Sequence, residues 1–213
     1  FVLFGATHTK DPNNFQVALI EQHWEKLRPT VALVEGNPGL TPPSFIDPVK
    51  EMGEGGKVAY LSRKYNVPLY SWDLSKETLA KQLTTYFSPE QVALGLILNS
   101  YFSNMRFGKP ASPEKYVQEY LKRAAYVGQE ANFNTVTDVD RIWKKYFPDG
   151  VEWRDETDQD GLPGYLGDMM AVSNDLRNQH LVTVIKELLA KNERVFMIGG
   201  SSHTVCIEPA FRN

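Results

Sequence analysis

The chain has 213 residues, 42% apolar, 12% aromatic and 23% charged, a balance typical of a packed globular chain, and its length favours one domain over residues 1–213. The formal net charge of -3 offers no positive field to phosphates, so we expect no nucleic-acid partner. No apolar run reaches the roughly 18 residues of a membrane-spanning helix, and the richest one, residues 92–98, contains Gly95.

The first third of the chain alternates between short apolar runs and segments with helical periodicity. Each apolar run ends at a glycine or a polar residue, as strands of a parallel sheet do. The resulting β-α-β-α-β order predicts a parallel sheet with right-handed crossovers. The predicted elements are strands over 1–4, 30–34 and 67–72, a helix from the capping residues 11–14 to Arg28, a Pro-rich loop over 37–48, and a helix from about Gly55.

The rest of the chain is predicted to be mainly helical until close to its end, with a polar loop over 148–164. Helix start signals recur at Ser75, Ser88 and Ser112, and no strand-like alternation occurs between them. A long helix over 166–191 then leads into a last strand over 195–198. We therefore expect an α/β fold with a mostly parallel central sheet flanked by helices. Its core comes from 1–75 and 165–213, and a helical insertion over 76–164 covers the site as a lid.

Polar residues follow four of the predicted strands. The end of the chain repeats a pattern from its beginning, because Gly5-Ala6-Thr7-His8 and Gly200-Ser201-Ser202-His203 both place a histidine three residues after a glycine. Ligands of open parallel sheets bind at the carboxyl ends of the strands, where such residues converge. The strand-end residues are His8, Glu35, Asp73 and His203. We expect the side chains of His8, Glu35 and His203 to lie within roughly 10 Å of one another.

The chemistry of these residues leaves two versions of the site open. His8, Glu35 and His203, with Asp73 as a further candidate ligand, suit one divalent metal ion with a position left for water. Without a metal ion, Glu35 would orient a histidine as the base, and Arg177 on the long helix would stabilise an oxyanion. Each residue also has an ordinary alternative role: Glu35 and Arg177 in ion pairs, and Asp73 as a helix cap.

Other features are less specific. Cys206 is the single cysteine, which excludes an intramolecular disulfide and a cysteine-based zinc cluster but leaves the compartment open. Glu54 begins a helix next to two glycines, where free amides could hold an anion or where the chain simply turns. His23 on the first helix is expected at the surface. The chain starts directly with an apolar strand and no Met, so we expect a leader or tether upstream.

The ordered set Gly5–His8, Val34-Glu35-Gly36, Leu176-Arg177-Asn178 and Gly200–His203 resembles the TraB/GumN/TIKI superfamily. That superfamily is recognised by two GxxH motifs, a glutamate after the second strand and an Arg-Asn pair on the penultimate helix. Its broader relatives include the ChaN-like haem-binding lipoproteins and the erythromycin esterases. The resemblance covers about residues 1–75 and 165–205 and leaves the helical middle unmatched.

The resemblance implies a site made of His8, Glu35, Arg177 and His203. It implies a hydrolase, metal-assisted in TIKI-like members, that acts on peptide or ester bonds of a peptide or small-molecule substrate. The alternative that it implies is a ChaN-like protein that binds haem or another small ligand without catalysis. It favours a periplasmic or cell-surface lipoprotein and leaves the oligomeric state open.

Overall fold

A computed structural model describes residues 1–36 and 48–212 of the chain. It forms two compact units, Phe1–Asp73 with Leu176–Asn213, and Leu74–Asp175. The first is called the sheet unit below and the second the helical unit. The Pro-rich loop predicted over 37–48 falls on residues 37–47, which lie outside the described residues.

The sheet unit contains a four-stranded sheet in which all the strands are parallel, with the order β1-β4-β2-β3. The predicted parallel sheet is therefore confirmed. The glycines of the two GxxH motifs, Gly5 and Gly200, lie on neighbouring strands one register position apart, because Gly5 pairs with Gly199 and Ala6 pairs with Gly200. The strands are β1 (Val2–Ala6), β2 (Val31–Val34), β3 (Leu69–Ser71) and β4 (Val195–Gly200).

Burial differs between the strands in a way that the apolar pattern alone does not predict. The central strands β2 and β4 are buried along their whole length, as continuous apolar runs suggest. The sequence predicts the same for the first strand, but Val2 and Leu3 of β1 are only partly buried. The reason is position, since β1 lies at the edge of the sheet and pairs only with β4.

The described residues also form eight α-helices, which together with the parallel sheet confirm the predicted α/β fold. The predicted long helix before the last strand is present. The helices are α1 (Phe15–Leu27), α2 (Pro48–Tyr65), α3 (Lys76–Leu83), α4 (Pro89–Asn104), α5 (Pro113–Gln118), α6 (Val136–Tyr146), α7 (Tyr165–Ala190) and α8 (Ser201–Ile207).

Two apolar clusters cover the two faces of the sheet. On one face, Ile20 and Trp24 of α1 and Leu61 of α2 pack with Phe196 of β4 and neighbouring strand residues. On the other face, the C-terminal part of α7 and α8 pack against Leu33, Met197 and Trp72. Burial of these side chains removes a large apolar area from water and holds the strand ends in fixed positions.

Helix α2 is interrupted at Gly53, and the interruption brings the helix close to the loop after β1. Gly53 has φ 63° and ψ -155°, a left-handed conformation that favours glycine. A Cβ atom at this position would lie 3.1 Å from the carbonyl oxygen of Thr9, so a side chain there would crowd that loop. The regular helix that follows therefore begins at Glu54, near the predicted start at Gly55.

The helical unit contains α3 to α6, the first part of α7 and four short 3-10 segments. No strand occurs in it, and all of its residues are described, so the helical prediction for 76–164 is confirmed. Ser75, Ser88 and Ser112 cap α3, α4 and α5, as their positions in the sequence predict. The function of this segment as a lid stays a prediction.

Helix α4 forms the centre of the helical unit. Most of its side chains between Val92 and Phe102 are buried, which explains why it is the most apolar stretch of the chain. Across residues 1–36 and 48–212, each helix is too short or too polar to cross a membrane.

Candidate functional site

The predicted site residues lie around the carboxyl ends of the four strands. His8 follows β1, Glu35 follows β2, Asp73 follows β3, and His203 lies in α8 directly after β4. The parallel arrangement sends all four strand ends to the same edge, so the chain segments that follow them meet there. All of these residues belong to the sheet unit.

Arg177 of α7 connects three of these four residues. Its Nη2 donates to Oε1 of Glu35 at 2.7 Å and its Nε donates to Oδ1 of Asp73 at 2.7 Å. Its Nη1 lies 3.1 Å from Nε2 of His203. The guanidinium group thus takes the central position of the site and compensates two carboxylates at once.

Glu35 is held ionised and in one orientation. Its second carboxylate oxygen, Oε2, accepts a hydrogen bond from the backbone N–H of Gly200 at 3.0 Å. Burial by itself raises the pKa of Glu35, but the charge and hydrogen bond of Arg177, together with the N–H of Gly200, outweigh burial and bring the pKa below its usual value. The side chain keeps 30% of its surface exposed, so a negative charge remains accessible from solvent.

His203 is buried and kept neutral. Its side chain is 8% exposed, its Nε2 accepts from Arg177, and its Nδ1 lies 2.7 Å from Oδ1 of Asn178. Since a guanidinium group can only donate, Nε2 carries no proton, and Nδ1 donates to Asn178. Burial first, and then the positive charge of Arg177, lower the pKa of His203 despite the opposing effect of Glu35 and Asp73.

His8 is the open imidazole of the site. Its side chain is 41% exposed, whereas that of His203 is almost fully buried. A Cβ atom on Gly200 would lie 3.2 Å from Nε2 of His8 and 3.8 Å from Oε2 of Glu35. Nε2 of His8 and Oε2 of Glu35 therefore border the same space next to Gly200. Oε1 of Glu35 also lies 4.0 Å from Nε2 of His203, so the structure brings the three side chains together at this edge of the sheet.

No family model, curated protein or solved structure matches this chain. The resemblance to the TraB/GumN/TIKI superfamily therefore rests on the motifs alone and stays a prediction.

Trp72, the residue directly after β3, packs against Arg177 and His203 of the site. Its indole N–H donates to the carbonyl oxygen of Ile198 at 3.0 Å, and its ring is fully buried. The guanidinium carbon of Arg177 lies 5.0 Å from the centre of the indole ring, and the ring of His203 packs against it edge-on at 5.2 Å. These contacts fix the planes of both side chains and add a cation–π attraction to the ion pairs of Arg177.

Three site residues were not among the sequence-predicted ones: Gln16, Glu54 and Asn178. Gln16 is buried and forms hydrogen bonds with the backbone N–H and the hydroxyl of Thr7. Glu54 is buried, accepts from the backbone N–H of Thr9 at 3.1 Å, and has the same oxygen 3.7 Å from Nδ1 of His8. In the sequence, Glu54 stands out only as the start of a helix next to two glycines, and Asn178 only as part of the Arg-Asn pair. Neither pattern predicts a contact with a histidine.

The residues predicted to bind a metal ion do not have the arrangement that such an ion needs. Within the described part of the chain, no three His, Cys, Asp or Glu side chains form a group that could hold one. Both oxygens of Glu35 and both ring nitrogens of His203 already have partners, and the cation among them is Arg177. A divalent ion at this place would meet the charge of the guanidinium group, so the observed arrangement suits an arginine rather than a metal ion.

Proposed function

We propose that the protein is a hydrolase that uses His8 as a general base to activate water against a peptide or ester bond. The observation that carries the proposal is the exposed imidazole of His8, whose Nε2 borders the same space next to Gly200 as the ionised, solvent-accessible carboxylate of Glu35. A base and a fixed carboxylate side by side are what water activation requires. An axial ligand of haem iron needs no carboxylate next to it, so the pair favours hydrolysis over haem binding.

In the proposed reaction, a water molecule lies between Nε2 of His8 and Oε2 of Glu35. Its oxygen attacks the carbonyl carbon of the substrate while one proton passes to Nε2 of His8 and the other stays hydrogen-bonded to Glu35. The bond to the leaving alcohol or amine then breaks, and His8 returns the proton to the leaving group.

Arg177 and His203 have supporting roles in this proposal. Arg177 keeps Glu35 ionised and oriented, since its guanidinium group donates to that carboxylate and raises the cost of protonating it. His203 accepts from Arg177 through Nε2, so its buried, neutral ring holds the guanidinium rather than taking a proton from water. This reaction needs no metal ion, so it follows the metal-free version of the site and not the metal-assisted one that the resemblance implies.

The first prediction concerns His8→Gln, with His23→Gln as the matched control because His23 is also an exposed histidine of the sheet unit. We expect His8→Gln to lower kcat/KM by about a hundredfold or more, since it removes the base, and His23→Gln to stay within about twofold of the wild type. The measurement uses a series of p-nitrophenyl esters and a library of quenched fluorescent peptides, each assayed before and after dialysis against EDTA.

The other outcomes identify what is wrong. Equal rates for His8→Gln and the wild type contradict the role of His8. Loss of turnover on EDTA dialysis, restored by zinc or manganese, supports the metal-assisted version instead. If no ester or peptide turns over, and added haemin gives a Soret band that His8→Gln abolishes, the protein is a haem-binding protein and the hydrolase proposal fails.

A further inference from the structure

The loop that carries His8 is held on both sides by buried polar side chains. Before His8, the backbone N–H and hydroxyl of Thr7 bond to Gln16 of α1. After it, the backbone N–H of Thr9 donates to Oε1 of Glu54 of α2. Gln16 and Glu54 are two of the few buried polar side chains in the described residues. A loop with an exposed imidazole at its centre is thus fixed to two helices rather than left free.

Glu54 faces His8 as well as the loop. Its Oε1 lies 3.7 Å from Nδ1 of the imidazole. The other ring nitrogen, Nε2, lies next to Gly200 and borders the same space as Oε2 of Glu35. The distance to Nδ1 is too long for a hydrogen bond, but in structures without substrate such bonds are often long and tighten when the substrate binds. Burial makes the carboxylate costly to keep without partners, and its position next to the ring gives it one more.

We propose that Glu54 is the positioning residue of His8: its carboxylate accepts a hydrogen bond from Nδ1–H of the imidazole and so leaves the lone pair of Nε2 directed at water. The functional part of this inference rests on the proposed hydrolase activity. A neutral imidazole has one N–H and one lone pair, and the partner at one nitrogen decides which nitrogen is the base. Within residues 1–36 and 48–212, the charged groups placed near His8 are Glu54 of α2 and Glu35 after β2, and Glu35 in turn pairs with Arg177 of α7 and lies near neutral His203 of α8.

The backbone conformation of α2 agrees with this role. The left-handed Gly53 directly precedes Glu54 and brings the start of the regular helix against Thr9. Residues in sparsely populated conformations persist where the surrounding structure requires them, and they cluster at functional sites. Here the conformation delivers a buried carboxylate to the loop that carries the proposed base.

The second prediction concerns Glu54→Gln, with Glu51→Gln as the matched control because Glu51 lies on the same helix and is exposed. The amide oxygen of glutamine still accepts from Thr9, so the substitution keeps the loop in place and removes only the charge that faces His8. We expect kcat to fall by about tenfold or more while KM changes by less than about threefold. Glu54→Asp keeps the carboxylate, so we expect its kcat to lie between the values of Glu54→Gln and the wild type. We expect the kcat of Glu51→Gln to match that of the wild type.

The deciding measurement is the tautomer of His8, read from the ¹⁵N shifts of its ring nitrogens at a pH where the ring is neutral. We expect the proton on Nδ1 in the wild type, and a larger share of the Nε2–H form in Glu54→Gln. An Nε2–H tautomer in the wild type, or the same tautomer in both proteins, overturns the proposal whatever happens to the rate. The tautomer is measured without a substrate, so a wild type that turns over nothing defeats the hydrolase proposal while this one is still decided.

Discussion

Each of the two units contains an arginine that pairs with carboxylates and lies against the face of a tryptophan. In the sheet unit, Arg177 pairs with Glu35 and Asp73 and lies over Trp72. In the helical unit, Arg154 pairs with Asp140, Glu114 and, at 3.6 Å, Glu152, and it lies over the ring of Trp153 at 4.3 Å. The composition of the two clusters is nearly the same, so composition alone does not distinguish a site from a structural ion-pair network.

The surroundings of the two clusters differ in two respects. The side chain of Arg177 is 14% exposed and contacts the imidazole of His203. The side chain of Arg154 is 25% exposed, and that of its partner Glu114 is half exposed. The sheet cluster also lies where four parallel strands end, next to the open histidine His8. An arginine–carboxylate–tryptophan group thus becomes a candidate site when an imidazole shares it and an exposed histidine lies next to it.

The third prediction compares the arginines, and it has the largest expected effect. Arg177→Met leaves the partly buried carboxylates of Glu35 and Asp73 without compensation, so we expect it to lower the free energy of unfolding by about 3 kcal/mol. Arg154→Met removes pairs that water already screens, and we expect a loss of about 1 kcal/mol. Urea unfolding followed by tryptophan fluorescence measures both. Equal losses would mean that the two clusters are structurally equivalent.

The fourth prediction compares a glycine from each unit. A Cβ on Gly95 of α4 would lie 1.8 Å from Cε of the buried Met169, so we expect Gly95→Ala to destabilise the protein by about 1 to 2 kcal/mol through overpacking, without changing turnover. Gly200→Ala places its Cβ between His8 and Glu35 instead. There we expect turnover to fall by about tenfold with a stability change below about 1 kcal/mol.

The pair is informative because each variant is the control of the other. Thermal unfolding and steady-state kinetics on both proteins are the measurements. If Gly200→Ala lowers stability and leaves turnover unchanged, the space beside Gly200 belongs to packing and not to a site.

The fifth prediction concerns acid, and its effect is the smallest. The pKa of His203 is below its usual value of 6.5 in the folded chain, so the unfolded chain binds a proton first as the pH falls. The stability that the neutral ring contributes is therefore complete above about pH 6.5 and is lost as the pH falls toward the lower folded pKa, by at most about 1.4 kcal/mol per pH unit.

Carboxylates contribute at a lower pH and in both units. The pKa values of Glu35 and of Asp140 are below their usual values of 4.5 and 3.8, so their contributions are present above those values and are lost in stronger acid. Because these carboxylates act in stronger acid, we expect His203 to cause the change in the free energy of unfolding between pH 7 and 5. That change should be smaller in His203→Gln than in the wild type. An unchanged slope would show that another group causes the loss.

The strand ends were the predictable part of the site. Parallel strands share one carboxyl edge, so the apolar runs and the residues after them were enough to expect His8, Glu35 and His203 together. The strand order was not predictable from the runs, since β4 pairs between β1 and β2 although it comes last in the chain. Edge position in turn decides the partial exposure of Val2 and Leu3, which an apolar run does not encode.

The difference between the two histidines was also beyond the sequence. Both motifs place a histidine three residues after a glycine, yet one ring is open and the other is buried and bonded at both nitrogens. That difference arises from α7, whose Arg177 and Asn178 bond to the two ring nitrogens of His203. Glu54 was hidden for a similar reason, because a glutamate at a helix start has a sufficient local explanation and its contact with the His8 loop depends on how α2 packs.

The position of β4 has a consequence for how the chain is made. The strand that joins β1 to the rest of the sheet comes from residues 195–200, so β1 waits for its neighbour while about 190 further residues are synthesised. At about 5 to 20 residues per second the delay is on the order of ten seconds or more. During it, the inner edges of β1 and β2 offer unpaired backbone groups to other chains. Nascent chains of this protein are thus expected to depend on chaperones until the last strand leaves the ribosome and fills the gap.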